Sequence, residues 1–395
     1  MMIQKKSEKD SKKKKRNTRL KLVGCMLFFF SSFLFMSGSV FAMESDLSIT
    51  ESTEFTDVNK SLNQLLEGES LDFKEMIANV IKGKEPLDVD KLVQALIDQA
   101  FGQVNYVKRT IVHIMIITIA AALLSNFSNV FNNSQISDIS FYVVYMLMLT
   151  VLMKSFVAVT TIATDAVNAL IEFMKSLVPA YFLALTFAGK TTTAMLFYQV
   201  ILMIITGIQL LFSNLIMPLI NIYVVLMLVN NISKEDFLSR LAQLLKGVIE
   251  WLLKAMLTVV IGFNIIQSLL APAIDAFRTT MLNKTVSAIP GVGNAVNAVT
   301  DMVIGSAVII KNGVGVVALV VLIVLSLTPL IQLWIFSIMY KLSAAIMQPI
   351  SDSRMISCIG SVGDGARLLI KVVTTSLVLF MITVAIVTAT TTTSV

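Results

Sequence analysis

Beyond residue 108 the chain alternates long apolar runs with short polar interruptions, and the runs reach the roughly 20 residues that a helix needs to cross a bilayer. Such runs lie near 110–127, 139–161, 168–189, 192–213, 214–230, 251–271, 313–331, 332–348 and 368–389. Lys154, Asp165, Glu172 and Lys175 interrupt the second and third, so 139–189 reads as two full spans, a re-entrant pair or interfacial helices. The pattern predicts an all-α fold: a polytopic α-helical integral membrane protein with about six to nine helices in 108–395.

Two other patterns precede this domain. Residues 1–21 carry ten Lys/Arg against two acids, and Leu22 to Ala42 follow as an uncharged apolar run ending Val40-Phe41-Ala42. A basic stretch, an apolar stretch and a small-residue site in that order describe a secretory signal peptide, 1–42, cut after Ala42. Left uncut, the same run is a signal anchor, and either way residue 43 onward lies outside the cytoplasm. Lys108 and Arg109, on the outer side of the first span, run against the positive-inside tendency, but the signal peptide outweighs two charges. Leu22-Val23-Gly24-Cys25 imitates a lipoprotein box, yet the apolar run follows the cysteine instead of preceding it.

Residues 43–107 hold thirteen Asp/Glu against five Lys, an acidic exoplasmic region that begins extended over 43–57 and turns helical. Its last helix starts near Asp88 or Asp90 as N-cap and places Leu92, Val93, Leu96, Ile97 and Phe101 on one face. Such a face needs cover. A self-packed helical hairpin, the bilayer surface, or a protein partner docking on Leu92 and Leu96 would each supply it.

Composition sharpens the class. A chain of 395 residues with 56% hydrophobic and 14% charged residues and a mean hydropathy of +0.82 lies outside the range of soluble domains. The formal charge of +6 is a property of the leader, so it points to no nucleic-acid partner. In the membrane domain, Ser233 and Asp236 have the spacing of a capping box, and Lys246, Glu250 and Lys254 follow at i, i+4 and i+8. That is an amphipathic interfacial helix running into a span, its charged face either solvated and self-paired or in contact with a partner's cytoplasmic domain.

Enzymatic chemistry has little to stand on. One histidine, His113, excludes a histidine metal cluster and leaves a Ser-His-Asp triad unsupported. Only Cys358 remains after the leader, so neither a disulfide nor a thiolate cluster forms within the chain. Gly189-Lys190-Thr191 has the tail of a phosphate loop, but Ala184 stands where its first glycine belongs. Gly360, Gly363 and Gly365 have no βαβ unit around them and read as a turn between membrane helices. No catalytic residue, cofactor or metal site is expected.

The stretch 288–315 is the exception to the apolar texture, with one Pro, five Gly, three Asn, an Asp and a Lys. Pro290 and Gly291 break the preceding segment, Gly293 keeps the turn small, and Asn297, Asp301, Gly305, Lys311, Asn312 and Gly315 punctuate the helix that follows. Polar groups at this depth survive only when buried in protein or lining a wet cavity, and small residues let helices pack closely. The segment is therefore either a tight packing joint or part of a water-accessible path.

At this point the chain resembles the stage III sporulation protein AE family of endospore-forming bacteria. The resemblance is carried by "IPGVGNAVNAVTDMVIGSAVIIKNGVG", by "LTPLIQLW" around Pro329, and by "YKLSAAIMQPISDSRMISCIGSVGDGARLLIK" from Tyr340 to Lys371. Pro290, Gly291, Gly293, Gly305, Lys311, Asn312, Gly315, Pro329, Pro349, Asp352, Gly363 and Asp364 fit the family pattern, whereas Asn294 stands where an acid is expected. The resemblance implies a non-enzymatic membrane component of a channel or secretion-like assembly, made in the mother cell and placed in the membrane around the forespore. Its implied partners are other stage III sporulation membrane and ring proteins, a separate ATPase and the lipid bilayer, with a homo-oligomer left open. A stand-alone secondary transporter using Asp301 and Lys311, or a scaffold lining no pore, are the competing readings.

Overall fold

The computed structural model describes residues 58–62, 72–82, most of 102–120, 134–187, 191–232, 236–286, 293–349 and 351–390; for 134–138, 140, 187, 191–193, 270–272, 274–286, 293–307 and 390 the description stops at the backbone. Every regular element among the described residues is helical. They are α1 (Phe73–Ile81), α2 (Ser134–Phe187), α3 (Thr191–Leu211), a π turn (Phe212–Ile216), α4 (Met217–Asn230), α5 (Ser239–Val286), α6 (Gly293–Met347) and α7 (Ser353–Thr390).

Helix α1 is short and amphipathic, burying Phe73, Met76 and Ile77 at i, i+3 and i+4. Asp72 caps it, its carboxylate accepting from the backbone N–H of Lys74 at 2.9 Å, and Asn59 braces the cap by donating to Asp72 at 3.0 Å. Phe73 meets Phe173 of α2 edge-on at 6.3 Å, and α1 lies against α6.

Among the described residues, five helices are long and apolar enough to cross a membrane: Phe141–Thr186, Ala194–Asn230, Ser239–Leu269, Val308–Met347 and Ser353–Ala389. Three of them merge apolar runs that the pattern separates. The runs 139–161 and 168–189 are one 54-residue helix, α2. Nothing in 162–167 is a helix breaker, and Pro179 sits inside α2 without ending it. Runs 192–213 and 214–230 join through the π turn, placed where the ring of Pro218 would press on the carbonyl of Asn214; the wider turn gives that ring room. Runs 313–331 and 332–348 join through Pro329 in the 55-residue α6. A helix of 54 residues is about 80 Å long against about 30 Å of hydrocarbon, so these helices are tilted or extend past the bilayer. The first expected span, 110–127, is described only in part, as helical residues 107–117 with Val107, Ile111 and Ile114 buried.

The ends of the bundle are fixed by side chains. At one end the Tyr145 hydroxyl donates to the Leu228 carbonyl at 2.5 Å, and the Arg354 guanidinium lies 3.5 Å over the Phe141 ring. This gathers the start of α2, the end of α4 and the α6–α7 turn. At the other end Tyr181 and Thr388 share a hydrogen bond of 2.9 Å. Helix α7 is the central element, packed on α6 along most of its length and touching α2, α4 and α5 as well. Helix α5 starts at Ser239, and Asp236 bonds Asn230 at 2.7 Å and Ser239 at 2.8 Å, closing the α4–α5 turn; Ser233 lies outside the described residues.

Candidate functional site

Among the described residues, two places join the helices through charged side chains and glycines. The first is where α6, α7 and α2 meet beside α1. Lys311 of α6 is fully buried, and its Nζ donates to the Thr388 carbonyl at 3.3 Å. Thr388 belongs to the last turn of α7, whose carbonyls have no successor N–H within the helix and which carries the negative end of the helix dipole. A lysine there serves as a C-cap from a neighbouring helix, which is how a cation is tolerated at this depth. Glycines make the approach close. A Cβ on Gly315 would collide with the Thr388 side chain, and one on Gly313 would come within 3.2 Å of Ile77 in α1. Thus α7 and α1 dock on α6 where it has no side chains.

The second place is the charged crossing of α5, α6 and α7. Lys341 pairs with Asp364 at 2.6 Å, Arg367 stands 4.0 Å from the same carboxylate, and Lys371 pairs with Glu250 at 2.7 Å. Gly363 and Gly365 flank Asp364. A Cβ on Gly363 would lie 3.1 Å from Cγ of Lys341, and one on Gly365 would collide with Val224 of α4 and crowd Phe156 of α2. The Ser337 hydroxyl donates to the Gly363 carbonyl at 3.0 Å, and the Tyr340 hydroxyl to Ser155 of α2 at 2.6 Å. Of the three glycines that resemble a phosphate loop in sequence, Gly363 and Gly365 are contact points between packed helices and Gly360 is not, and all three lie inside α7 instead of in the turn expected between membrane helices.

Of the residues singled out by sequence, Lys311 and Gly315 both meet Thr388 at the α6–α7 joint. Gly293 begins α6, and Asn297, Asp301 and Gly305 lie on its backbone with side chains outside the described residues, as are Pro290 and Gly291 altogether. Asn312 is half-buried on α6 next to Lys311. Glu250 turns toward α7 and pairs with Lys371, whereas Lys246 and Lys254 flank it on its own helix. Ala42, Leu92 and Leu96 lie outside the described residues. The i, i+4 spacing around Glu250 hid its true partner, because Lys371 is a cross-helix neighbour that no local pattern reveals. Two buried amides were also invisible. Asn264 donates to Thr383 at 3.3 Å, and Gln267, one turn on, bonds to nothing among the described residues. Among those residues no group of three or more His, Cys, Asp or Glu is placed to hold a metal ion.

A bundle of long apolar helices tied together by interhelical ion pairs and glycine contacts is an integral membrane protein of the polytopic α-helical class. The family model for stage III sporulation protein AE matches residues 71–391, and the chain belongs to that family of sporulation proteins. It is 28% identical over 287 residues to the stage III sporulation protein AE of Bacillus subtilis (strain 168), an alignment covering 72% of each chain. No solved structure matches the chain.

Proposed function

We propose that the chain is a non-enzymatic membrane subunit of a channel or secretion-like assembly that links mother cell and forespore and supports forespore development. The observation that carries this reading is the match of a sporulation family over 71–391, which takes in all five long apolar helices. In this reading the protein sits in the mother-cell membrane surrounding the forespore. The signal-peptide pattern sets the acidic 43–107 region on the exoplasmic side, facing ring-forming partners, and a separate ATPase supplies energy. Against a stand-alone transporter counts the engagement of Lys311 at the end of α7, which removes one of the two residues a coupling site on α6 would use.

Compartment-specific expression tests it. In a strain lacking the gene, expression from a mother-cell promoter alone should restore late forespore gene expression, and expression in the forespore alone should not. Rescue from the forespore alone would contradict the proposal.

A further inference from the structure

The charged crossing of α5, α6 and α7 holds more positive charge than its own carboxylates balance. Glu250 and Asp364 are its anions, and around them stand Lys246 and Lys254 of α5, Lys341 of α6, and Arg367 and Lys371 of α7. Lys341 and Lys371 take the two carboxylates at 2.6 and 2.7 Å, which leaves three positive charges in excess. Asp364, Arg367 and Lys371 follow at spacings of three and four residues, so they share one face of α7. That face is open: the side chains of Arg367 and Lys371 are 59% and 51% exposed, and Thr374, one turn on, is exposed too.

The charge stands between apolar ridges. Helices α5 and α6 both pack on α7 but hardly touch each other among the described residues, so α7 floors a furrow between them. On α6, Trp334 and Ile338 lie seven and three residues before Lys341, on its side of the helix, and both are exposed. On α5, Ile265 lies three turns beyond Lys254 on the same side and is exposed, and Trp251 stands exposed next to Glu250. Past Lys371, residues 372–389 of α7 carry no charge, a helix length of about 27 Å against about 30 Å of hydrocarbon. With that stretch across the bilayer, Arg367 and Lys371 stand at headgroup level, where exposed tryptophans also belong.

We propose that this furrow binds an anionic phospholipid, its phosphate held by Arg367, Lys371 and Lys254 and its acyl chains laid against Trp334 and Ile338. The ligand follows from charge and surroundings together. An excess of cations flanked by lipid-facing side chains is neutralised by an anion that brings its own hydrocarbon, and each basic residue near an anionic membrane surface is worth about fivefold in affinity. Arg367 suits the phosphate, since a guanidinium offers two parallel N–H donors to its oxygens. A zwitterionic lipid carries a cation of its own and gains nothing from the excess. Bound there, the lipid bridges the three helices of the crossing.

The test uses the purified full chain in vesicles of phosphatidylcholine and phosphatidylglycerol in equal parts, with spin-labelled lipid of each kind as the probe. The wild-type chain should retain labelled phosphatidylglycerol in preference to labelled phosphatidylcholine, and Arg367→Gln should weaken its affinity for phosphatidylglycerol about fivefold. Lys254→Gln, on another helix and outside both short ion pairs, should do the same. Arg367→Lys should keep most of the preference, and so should Arg240→Gln, which removes a charge from α5 outside the crossing. Melting in phosphatidylcholine alone, read for each variant, separates lost preference from lost structure. Equal retention of the two lipids by the wild-type chain overturns the proposal, as does a loss in Arg240→Gln equal to that in Arg367→Gln. Displacement of phosphatidylglycerol by excess glycerol phosphate also overturns it, since the site would then be one for soluble anions. The measurement needs no other sporulation protein, so its failure leaves the channel reading standing, and failure of the compartment experiment leaves the lipid site standing.

Discussion

At the scale of single residues, the glycines of α6 and α7 decide how closely the helices approach. Gly315 faces Thr388 with no room for a Cβ, so Gly315→Ala should destabilise the bundle by about 1 to 3 kcal/mol, the usual cost of overpacking. Thr388→Ala in the same chain removes the nearest two atoms and should recover part of that loss, read as the melting temperature of the purified protein in detergent. A double variant no more stable than Gly315→Ala would mean the contact lies elsewhere. Outside the long apolar helices, Asn59 and the N–H groups of Lys74 and Glu75 hold the Asp72 carboxyl below its ordinary pKa. A carboxylate depressed in the folded state adds stability above its unfolded pKa and loses it as pH falls through the folded one. The docking of α1 should therefore loosen below about pH 4, the ordinary carboxylate value, in the native protein. Asp72→Asn, which still caps but does not titrate, should remove that pH dependence, measured as the mobility of a spin label on Lys74→Cys. The sequence made the unusual residues of 288–315 easy to see, but not their use. Lys311 reads equally as a conduit or a packing residue, and no local pattern puts the end of α7 beside it.

At the scale of elements, the apolar runs were legible and their joins were not. Hydropathy reports where a helix is greasy, and it dips at Asp165 in α2 and at the π turn, while Pro329 invites a break in α6; the backbone passes through all three. Proline at membrane depth costs one hydrogen bond that neighbouring groups can restore, so it does not end a helix as it would in water. The π turn has no local sequence signature beyond Pro218 itself. Pairing between elements was the least legible, because Lys371 lies 121 positions from Glu250. Glu250→Lys and Lys371→Glu should each lower the melting temperature and increase proteolysis at the α4–α5 turn, and the double exchange should restore both. A double exchange as unstable as the worse single change would show that the two charges act independently.

For the whole molecule, the all-α membrane class and the family were readable from texture and from the 288–371 motifs, since both depend on local runs of residues. The arrangement around α7 was not, because which helix becomes central depends on contacts such as Ser337 with Gly363 and Tyr340 with Ser155 that link distant parts of the chain. The same limit applies to the polar side of α2, whose four charges looked like evidence against a span until one helix put them on one face. The proposed role as one subunit of a larger assembly belongs to this scale. The most direct measurement is the composition of the native particle. The tagged full chain, expressed at its natural level and extracted from membranes of sporulating cells in mild detergent, should travel in a particle far heavier than its own 43.3 kDa. Other sporulation membrane and ring proteins and an ATPase should be present in fixed ratio. A particle holding this chain alone, from cells that sporulate normally, would contradict the assembly reading.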